Sequence, residues 1–183
     1  MIFRAIDFAT KAHSGQYRKG TRIPYITHPL NIAKILIEQE CPEQVIVAGI
    51  LHDTLEDTRV TADEIRDLFG SEVAALVEAV SEPNKSDHTW ENRKAHTLKI
   101  LRTALPEVLM ISLADKLDNI KAIREDHEKT GDRIWKRFNR PKEKQQWYYE
   151  AILNVFFARL NGKQTLALVH QFKSDVDHVF RQS

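Results

Sequence analysis

The sequence predicts an all-α fold, and three observations support this prediction. Apolar residues recur at helical spacing through most of the 183 residues. The strict alternation of apolar and polar residues that is typical of strands is missing from the sequence. Six glycines and six prolines are few for this length, which disfavours a turn-rich β fold. We therefore expect one domain over residues 1–183, folded as a compact bundle of about eight to ten helices.

In the first third of the chain, prolines and apolar stripes predict where helices begin. An apolar stripe predicts a first helix over residues 2–12. Residues 14–27 contain two glycines and a proline, so we expect a loop there. Proline is favoured in the first turn of a helix, and further helices are predicted to begin at Pro29 and Pro42.

The rest of the chain carries stop and start signals for further helices. Thr61 followed by Glu64 forms a capping-box signature and predicts a helix over residues 62–69. Gly70 is expected to end that helix, and Ser71 to begin the next one. The polar residues 81–88 are predicted to form a loop. Four more helices are then expected, over about 91–104, 107–127, 141–160 and 163–180.

Composition excludes several functional classes. The formal net charge is +1, so the chain lacks the strong positive field that is typical of nucleic-acid binding proteins. The single Cys41 cannot form an internal disulfide, which fits a reducing compartment. No apolar run is long enough to span a membrane, and charges at Arg4 and Asp7 are not typical of a signal peptide. A cytoplasmic protein without a membrane partner is expected, and its oligomeric state is left open.

The segment LHDTLEDT, residues 51–58, concentrates ionisable side chains after an apolar run. Glu56 and Asp57 follow His52 and Asp53 by four residues each, so a continuous helix would place all four on one face. Three carboxylates that close together repel one another unless a cation lies among them. A single His–Asp pair is common by chance, and Glu56 and Asp57 alone are more typical of a solvated surface.

Two other segments offer partners for a metal ion. His28 lies at a predicted helix start, and Asp115 follows the apolar residues 111–114, where an unpaired carboxylate is unfavourable. Each residue alone has an ordinary structural interpretation, but the ordered pattern H…HD…D is far less expected by accident. Two imidazoles and two carboxylates suit Mn, Fe or Zn better than Ca or Mg. The predicted ligands of one divalent ion are His28, His52, Asp53 and Asp115.

These motifs resemble the HD-domain phosphohydrolases, and more narrowly the hydrolase domain of RelA/SpoT-type alarmone enzymes and the stand-alone small alarmone hydrolases. The similarity runs over about residues 3–125 and continues more weakly to about residue 152. The matching segments are AHSGQYRKGTRIPYITHPL, AGILHDTLEDT, FGSEVAALVEAVSE and SLADKLDNIKAI. The resemblance implies an HD-domain helical bundle that removes the 3′-pyrophosphate from ppGpp or pppGpp, giving GDP or GTP, usually with Mn²⁺.

The resemblance also implies roles for individual residues. It supports the four metal ligands and matches Glu56 and Asp57 to the acidic pair that orients or deprotonates the attacking water. The matching substrate contacts are Arg18 and Lys19 with the nucleotide base, Asn119 with the ribose or 3′-phosphates, and, more loosely, Lys144 and Tyr148.

The chain departs from the family pattern beside Asp115. Many bifunctional enzymes have RLHNMR where this chain has KLDNIK, so Asp118 replaces a His and Lys121 replaces an Arg. These changes bear on phosphate binding and on the choice of base. Because no synthetase segment follows within residues 1–183, we expect this protein to degrade alarmones and not to make them.

Two alternatives stay open. The protein could hydrolyse another phosphorylated nucleotide, such as an adenosine alarmone or a phosphorylated dinucleotide, or it could be a non-catalytic alarmone sensor. The basic, aromatic segment 135–149 is interpreted as packing and small-substrate contacts rather than as a nucleic-acid surface. Arg93 and Lys94 could face the pyrophosphate, but they are interpreted in preference as part of a solvated helix face.

Overall fold

The fold is all-α, as predicted. A computed structural model describes residues 1–82 and 88–181, and most of the predicted loop at 81–88 lies outside them. Within these residues there are nine α-helices of eight or more residues, one single-turn helix and one 3₁₀ helix. The α-helices are α1 (Ile2–Ala12), α2 (Thr27–Glu38), α3 (Glu43–Leu51), α4 (Thr54–Asp57), α5 (Ala62–Phe69), α6 (Ser71–Val80), α7 (Trp90–Leu101), α8 (Pro106–Thr130), α9 (Lys142–Arg159) and α10 (Lys163–Arg181).

The longest helix, α8, runs through the centre of the bundle. It packs against α2, α3, α6, α9 and α10. Every residue from Val108 to Ala114 is buried, and all but Ser112 are apolar, as expected for a helix surrounded by other helices. Asp115 follows directly, and its backbone therefore lies inside the bundle rather than on its surface.

Helices α2 and α3 approach each other closely, which brings two predicted ligands together. A Cβ added at Gly49 would lie 2.5 Å from Leu36 Cδ1, so any larger residue would displace the Leu36 side chain at this crossing. All residues of α3 from Val45 to Leu51 are buried. The close crossing positions the start of α2, with His28, against the end of α3, where His52 follows.

Several predicted boundaries agree with the structure. Thr61 and Glu64 form the predicted capping box at the start of α5, and Gly70 ends that helix with a φ of 95°. Helix α2 begins at Thr27, two residues before Pro29, so His28 lies inside its first turn. The 3₁₀ helix Gly131–Arg137 was not predicted; it follows α8 where Gly131 adopts a φ of 58°.

No helix within the described residues is long and apolar enough to cross a membrane.

Candidate functional site

Two adjoining cavities contain most of the predicted site residues. The first, here called the narrow pocket, has a volume of about 220 Å³ and is lined by His28, His52, Asp53, Glu56, Glu82 and Asp115, among others. The second, here called the wide groove, has a volume of about 780 Å³ and is lined by Lys19, Phe138, Asn139, Tyr148 and Tyr149, among others. Five residues border both cavities: Arg18, Tyr25, Lys94, Lys116 and Asn119.

The four predicted metal ligands converge at the base of the narrow pocket. His28 Nε2 lies 3.2 Å from Asp115 Oδ1 and 3.8 Å from Asp53 Oδ2. His52 Nε2 lies 2.9 Å from Asp53 Oδ2 and 4.0 Å from Asp115 Oδ1. Helices α2 and α8 supply His28 and Asp115, and the turn after α3 supplies the other two, so three separate segments meet at this point.

Hydrogen bonds leave one nitrogen of each ring directed into the pocket. His52 Nδ1 lies 2.9 Å from the carbonyl oxygen of Gly49, which can only accept, so Nδ1 carries a hydrogen. His28 Nδ1 lies 2.6 Å from Asp118 Oδ2. In both rings Nε2 is therefore the nitrogen that can bind a metal. His52 Nε2 is buried and makes no hydrogen bond within the described residues.

This donor set fits a divalent transition metal. Ligand atoms about 2.1 Å from one ion lie about 3.0 Å apart at right angles and about 4.2 Å apart when opposite. The four distances between the imidazole nitrogens and the carboxylate oxygens fall in this range. Both imidazoles are almost fully buried, and Nε2 of His28, Nε2 of His52 and an oxygen of Asp53 lie within 4.8 Å of one another. These residues form a possible metal-binding triad, and Asp115 lies beside it.

Charges within the cluster shift the pKa of its members when no metal is bound. Burial alone lowers the pKa of His52, but the carboxylates of Asp53 and Asp115 outweigh it and raise this pKa to about 9. Burial likewise opposes ionisation of Asp53, yet the neighbouring His52 holds its pKa far below the usual range. The pKa of Asp115 is also lowered, mainly by Lys116 against the effect of burial. Without a metal, the carboxylates of Asp53 and Asp115 are thus stabilised by the positive charges of His52 and Lys116.

Glu56 lies next to this cluster, on the one-turn helix α4. Its Oε1 accepts a hydrogen bond of 2.8 Å from the backbone N–H of Glu82. Burial, and then the negative charge of Asp53, raises the pKa of Glu56 to about 7. A carboxyl group with a pKa near neutral can accept and return a proton at physiological pH.

Asp57 does not share this environment. Its side chain is exposed and is not among the residues that line the narrow pocket. The expectation that both acidic residues extend one continuous face with His52 and Asp53 is therefore wrong for Asp57. Helix α3 ends at Leu51, and Asp53 has a ψ of −2°, so α4 is a separate turn with its own orientation.

Opposite the predicted ligands, α7 contributes a cationic wall to the narrow pocket. Glu82 accepts hydrogen bonds from Arg93 at 2.9 Å, Lys94 at 2.6 Å and the Thr97 hydroxyl at 3.2 Å. The side chains of Arg93 and Lys94 are 13% and 16% exposed. Their interpretation as a solvated helix face is therefore wrong. Burial, and then the nearby Lys116, lowers the pKa of Lys94, which indicates that these cations crowd one another.

The loop before α2 and the α8 residue Asn119 connect the two cavities. The Arg18 guanidinium donates to Asn119 Oδ1 at 2.9 Å, and Asn119 in turn donates to Asp115 Oδ1. Lys19 lies 5.9 Å above the Phe138 ring. Gly20 has a φ of 73°, and a Cβ there would lie 2.7 Å from Arg137, so the glycine lets the loop pack against the 3₁₀ helix.

Of the two α9 residues that the family resemblance matches loosely, Lys144 and Tyr148, only Tyr148 lies in the site. Tyr148 is buried and borders the wide groove; its hydroxyl has no hydrogen-bond partner in the described residues, and Lys94 lies 4.8 Å above its ring. Lys144 is exposed and lines neither cavity. Gln145, which lies three residues before Tyr148, borders the groove instead of Lys144, which lies four residues before it.

Sequence reasoning gave no role to several residues that the structure places in the site, among them Lys116, Tyr25 and Glu82. Tyr25 donates a hydrogen bond to Asp53, and burial together with that carboxylate raises the pKa of the phenol far above its usual value. Tyr25 thus stays protonated and remains a donor. Glu82 holds the cationic wall together, although it is 11 and 12 residues away from its partners. Tyr25 lies within a recognised motif and was open to prediction, whereas the pairing of Glu82 was not.

Comparisons with known proteins identify the family of this chain. The family model described as the HD domain matches residues 5–156. A protein of Aquifex aeolicus named guanosine-3′,5′-bis(diphosphate) 3′-pyrophosphohydrolase is 45% identical over 123 residues, which cover 67% of this chain and 18% of that protein. A GTP pyrophosphokinase of Myxococcus xanthus is 38% identical over 134 residues, which cover 69% of this chain and 17% of that protein. The chain thus spans less than a fifth of the length of these relatives.

Solved structures show the same fold. A structure from Listeria monocytogenes EGD-e has a TM-score of 0.77 and 37% identity, covering 87% of this chain and 97% of that one. A metazoan protein, described as an ortholog of SpoT that hydrolyses ppGpp, has a TM-score of 0.71 over 99% of this chain and 94% of its own. Its identity of 24% supports the fold alone. On the family match and the helical fold together, this chain belongs to the HD domain family.

Proposed function

We propose that this protein is a metal-dependent phosphohydrolase that removes the 3′-pyrophosphate from guanosine alarmones. It would convert ppGpp to GDP, and pppGpp to GTP, with release of pyrophosphate. One observation carries the proposal: two imidazole nitrogens and two carboxylate oxygens converge beside Glu56, opposite a buried cationic wall. The name of the Aquifex aeolicus relative supports the same reaction.

In this proposal His28, His52, Asp53 and Asp115 hold one divalent ion, with Mn²⁺ as its preferred identity. The mixed nitrogen and oxygen donors favour a transition metal over Mg²⁺ or Ca²⁺. A divalent ion in this position supplies Lewis-acid chemistry, which makes water a stronger nucleophile and polarises a phosphoryl oxygen.

Glu56 acts as the general base. Its carboxylate takes a proton from the water that adds to the phosphorus bonded to the 3′ oxygen. The bond between that phosphorus and the 3′ oxygen then breaks, and the proton passes back to the 3′ oxygen of the departing nucleotide. The backbone N–H of Glu82 orients the carboxylate for both transfers. Asp57, in its exposed position, is proposed to assist from the rim of the site.

The cationic wall binds the pyrophosphate. Arg93, Lys94 and Lys116 line the narrow pocket and supply positive charge in a setting largely shielded from water. Asp115 and the nearby Glu82 raise the pKa of Lys116 despite its burial, so its ammonium stays charged. Such cations stabilise the negative charge of the pyrophosphoryl group while its bond to the 3′ oxygen breaks.

The wide groove binds the nucleoside and its 5′-phosphates. Its volume of about 780 Å³ is in the range expected for a small-molecule site. Arg18 and Lys19 are proposed to contact the base, with a guanidinium plane that can stack on a purine. Asn119 and Tyr148 lie where the groove meets the narrow pocket and are proposed to contact the ribose or the 3′-phosphates. Contact by the exposed Lys144 would require its side chain to reach over the rim.

The proposal extends to the setting of the enzyme. A single domain over residues 1–183, a small-molecule nucleotide as the partner and a cytoplasmic location are consistent with the continuous helical bundle and with one free cysteine.

The test is a substrate panel with purified protein and Mn²⁺. We expect release of pyrophosphate from ppGpp, and loss of that release in Asp53→Ala, which removes the carboxylate shared by both imidazoles. Faster turnover of an adenosine alarmone or a phosphorylated dinucleotide would replace the guanine assignment. Tight ppGpp binding without turnover would instead indicate a sensor, and full activity in Asp53→Ala would refute the site.

A further inference from the structure

Asp118 makes contacts that neither the ligand set nor the substrate contacts explain. It lies on α8 one turn after Asp115, is 9% exposed, and uses both carboxylate oxygens. Oδ2 lies 2.6 Å from His28 Nδ1. Oδ1 accepts a hydrogen bond of 2.7 Å from the Asn31 side-chain amide. His28 and Asn31 are three residues apart on the first turns of α2 and share one face of the helix, so one carboxylate holds that face against α8.

The bond to Nδ1 decides which nitrogen of His28 faces the pocket. A carboxylate accepts hydrogen bonds, so Nδ1 carries the hydrogen and Nε2 keeps its lone pair. Nε2 then lies 3.2 Å from Asp115 Oδ1 and 3.8 Å from Asp53 Oδ2, in the position proposed for a metal ligand. A carboxylate behind an imidazole ligand orients the ring and increases its basicity, and its loss typically weakens metal affinity or activity by about 10- to 100-fold.

The second imidazole of the site is oriented differently. His52 Nδ1 donates to the backbone carbonyl of Gly49, an acceptor that no side-chain substitution removes. Only the orientation of His28 depends on a replaceable side chain. Asp118 is also one of the four positions at which the KLDNIK segment departs from RLHNMR, so this anionic acceptor is a feature of this chain's own sequence.

We propose that Asp118 is a positioning residue for the metal: it holds His28 in the Nδ1–H tautomer, with Nε2 directed at the ion, and thereby raises the affinity of the site for a divalent cation. The inference rests on the proposed metal site. Arg18 lies 3.5 Å from Asp118 Oδ2, which connects the same carboxylate to the wide groove. Loss of Asp118 therefore has its main effect on metal affinity and a smaller effect on nucleotide binding.

The experiment measures Mn²⁺ binding to the full chain without nucleotide, by calorimetric titration of the parent and three variants. Asp118→Ala removes the acceptor, and we expect its Kd to rise by about 10- to 100-fold. Asp118→Asn keeps a neutral carbonyl acceptor, so we expect a smaller increase. The matched control is Asp175→Asn, which removes another buried carboxylate packed beside α8, paired with Arg124 at 2.9 Å, and should leave the Kd unchanged.

Two further readouts separate positioning from general destabilisation. At saturating Mn²⁺ we expect Asp118→Ala to recover a kcat close to that of the parent, because its ligands and its base are intact. The ¹⁵N chemical shifts of His28 in the metal-free chain should indicate the Nδ1–H tautomer in the parent and a mixture of tautomers in Asp118→Ala. If Asp118→Ala does not fold, Asp118→Asn carries the same tests.

The outcomes are distinguishable. Parent-like Mn²⁺ affinity in both Asp118 variants would overturn the role of Asp118 and leave the proposed function intact. Absence of Mn²⁺ binding by the parent would overturn both. An affinity that depends on Asp118, in a protein that does not turn over ppGpp, would support the role of Asp118 and refute the proposed reaction.

Discussion

The narrow pocket and the wide groove are built from different kinds of structure. The predicted ligands of the narrow pocket lie on or directly after helices α2, α3 and α8, and they are nearly buried. The wide groove is lined mainly by helices α2, α8 and α9, and the loop before α2, the 3₁₀ helix and the segment that follows it complete it. Chemistry that must be held to fractions of an ångström lies on packed helices, whereas the proposed base contacts Arg18 and Lys19 lie on a connecting loop.

The charges of the two cavities differ as well. The narrow pocket places carboxylates against cations, and most of its charged groups already have a partner within about 4 Å of them. The wide groove has fewer such pairs, and Lys19 at its edge is exposed. We therefore expect substitutions in the narrow pocket to change kcat and metal binding, and substitutions in the wide groove to change KM and the choice of base.

The largest effect should follow from Glu56→Gln. The amide keeps the size of the side chain but cannot accept a proton, so kcat should fall by about 10²- to 10⁴-fold. Mn²⁺ affinity should change little, because Glu56 is not a proposed ligand. In the parent, kcat should rise with pH up to about 7, where Glu56 loses its proton, and a bound cation would shift this limb to lower pH. A Glu56→Gln enzyme with the parent's pH profile would contradict the assignment.

The pH dependence of metal binding should be the next largest effect. Without metal, His52 is protonated below a pKa of about 9, and the ion must displace that proton. Affinity for Mn²⁺ should therefore rise by about tenfold for each pH unit between pH 6 and 8. Calorimetry in two buffers with different ionisation enthalpies measures the protons released. A Kd that does not change with pH would show that His52 is not a ligand.

A smaller effect is expected from Lys94→Ala in the cationic wall. A hydrogen bond to a charged group contributes about 1.5–3 kcal/mol, so kcat/KM for ppGpp should fall by about 10- to 100-fold. The matched control is Lys99→Ala, an exposed lysine on the same helix α7, which should behave like the parent. Equal losses in the two variants would indicate a general effect of charge rather than a pyrophosphate site.

The smallest effect should come from Lys144→Ala. The family resemblance implies that this lysine contacts substrate, whereas the structure places it outside both cavities. We expect KM for ppGpp to stay within about twofold of the parent value, as is usual for an exposed side chain without close partners. A clear rise in KM would show that the Lys144 side chain reaches over the rim to the substrate.

The sequence predicted the convergence of the four proposed metal ligands better than the contacts around them. His52 and Asp53 are adjacent, and Asp115 stands out because an apolar run precedes it, so local sequence was enough to select them. Arg93 and Lys94 lie on a helix whose sequence looks solvated. Their partner Glu82 lies 11 and 12 residues earlier, before a polar loop, so the sequence does not indicate that the two cations are buried. Their role depends on tertiary contacts, which residue spacing along one helix does not predict.

Local geometry also limited the predictions around Asp57. A continuous helix from α3 would have placed Glu56 and Asp57 on one face with His52 and Asp53, but the backbone at Asp53 begins a separate turn. Within that turn Glu56 and Asp57 are about 100° apart, and only Glu56 lines the narrow pocket. The helix boundaries were predictable where capping chemistry was explicit, as at Thr61 and Gly70. The 3₁₀ helix after α8 carries no such signal, and it lines the wide groove.

Helix α8 carries Asp115, Lys116, Asp118 and Asn119 within little more than one turn, after seven consecutive buried residues. At about 100° per residue, one inserted or deleted residue in that buried stretch would rotate all four polar side chains together. Both cavities would lose their shared wall at once, even though no functional residue had been substituted. The number of residues in the buried stretch 108–114 is therefore constrained as strictly as the identity of the four polar residues that follow it. We expect relatives of this chain to exchange one apolar residue for another there, without insertions or deletions.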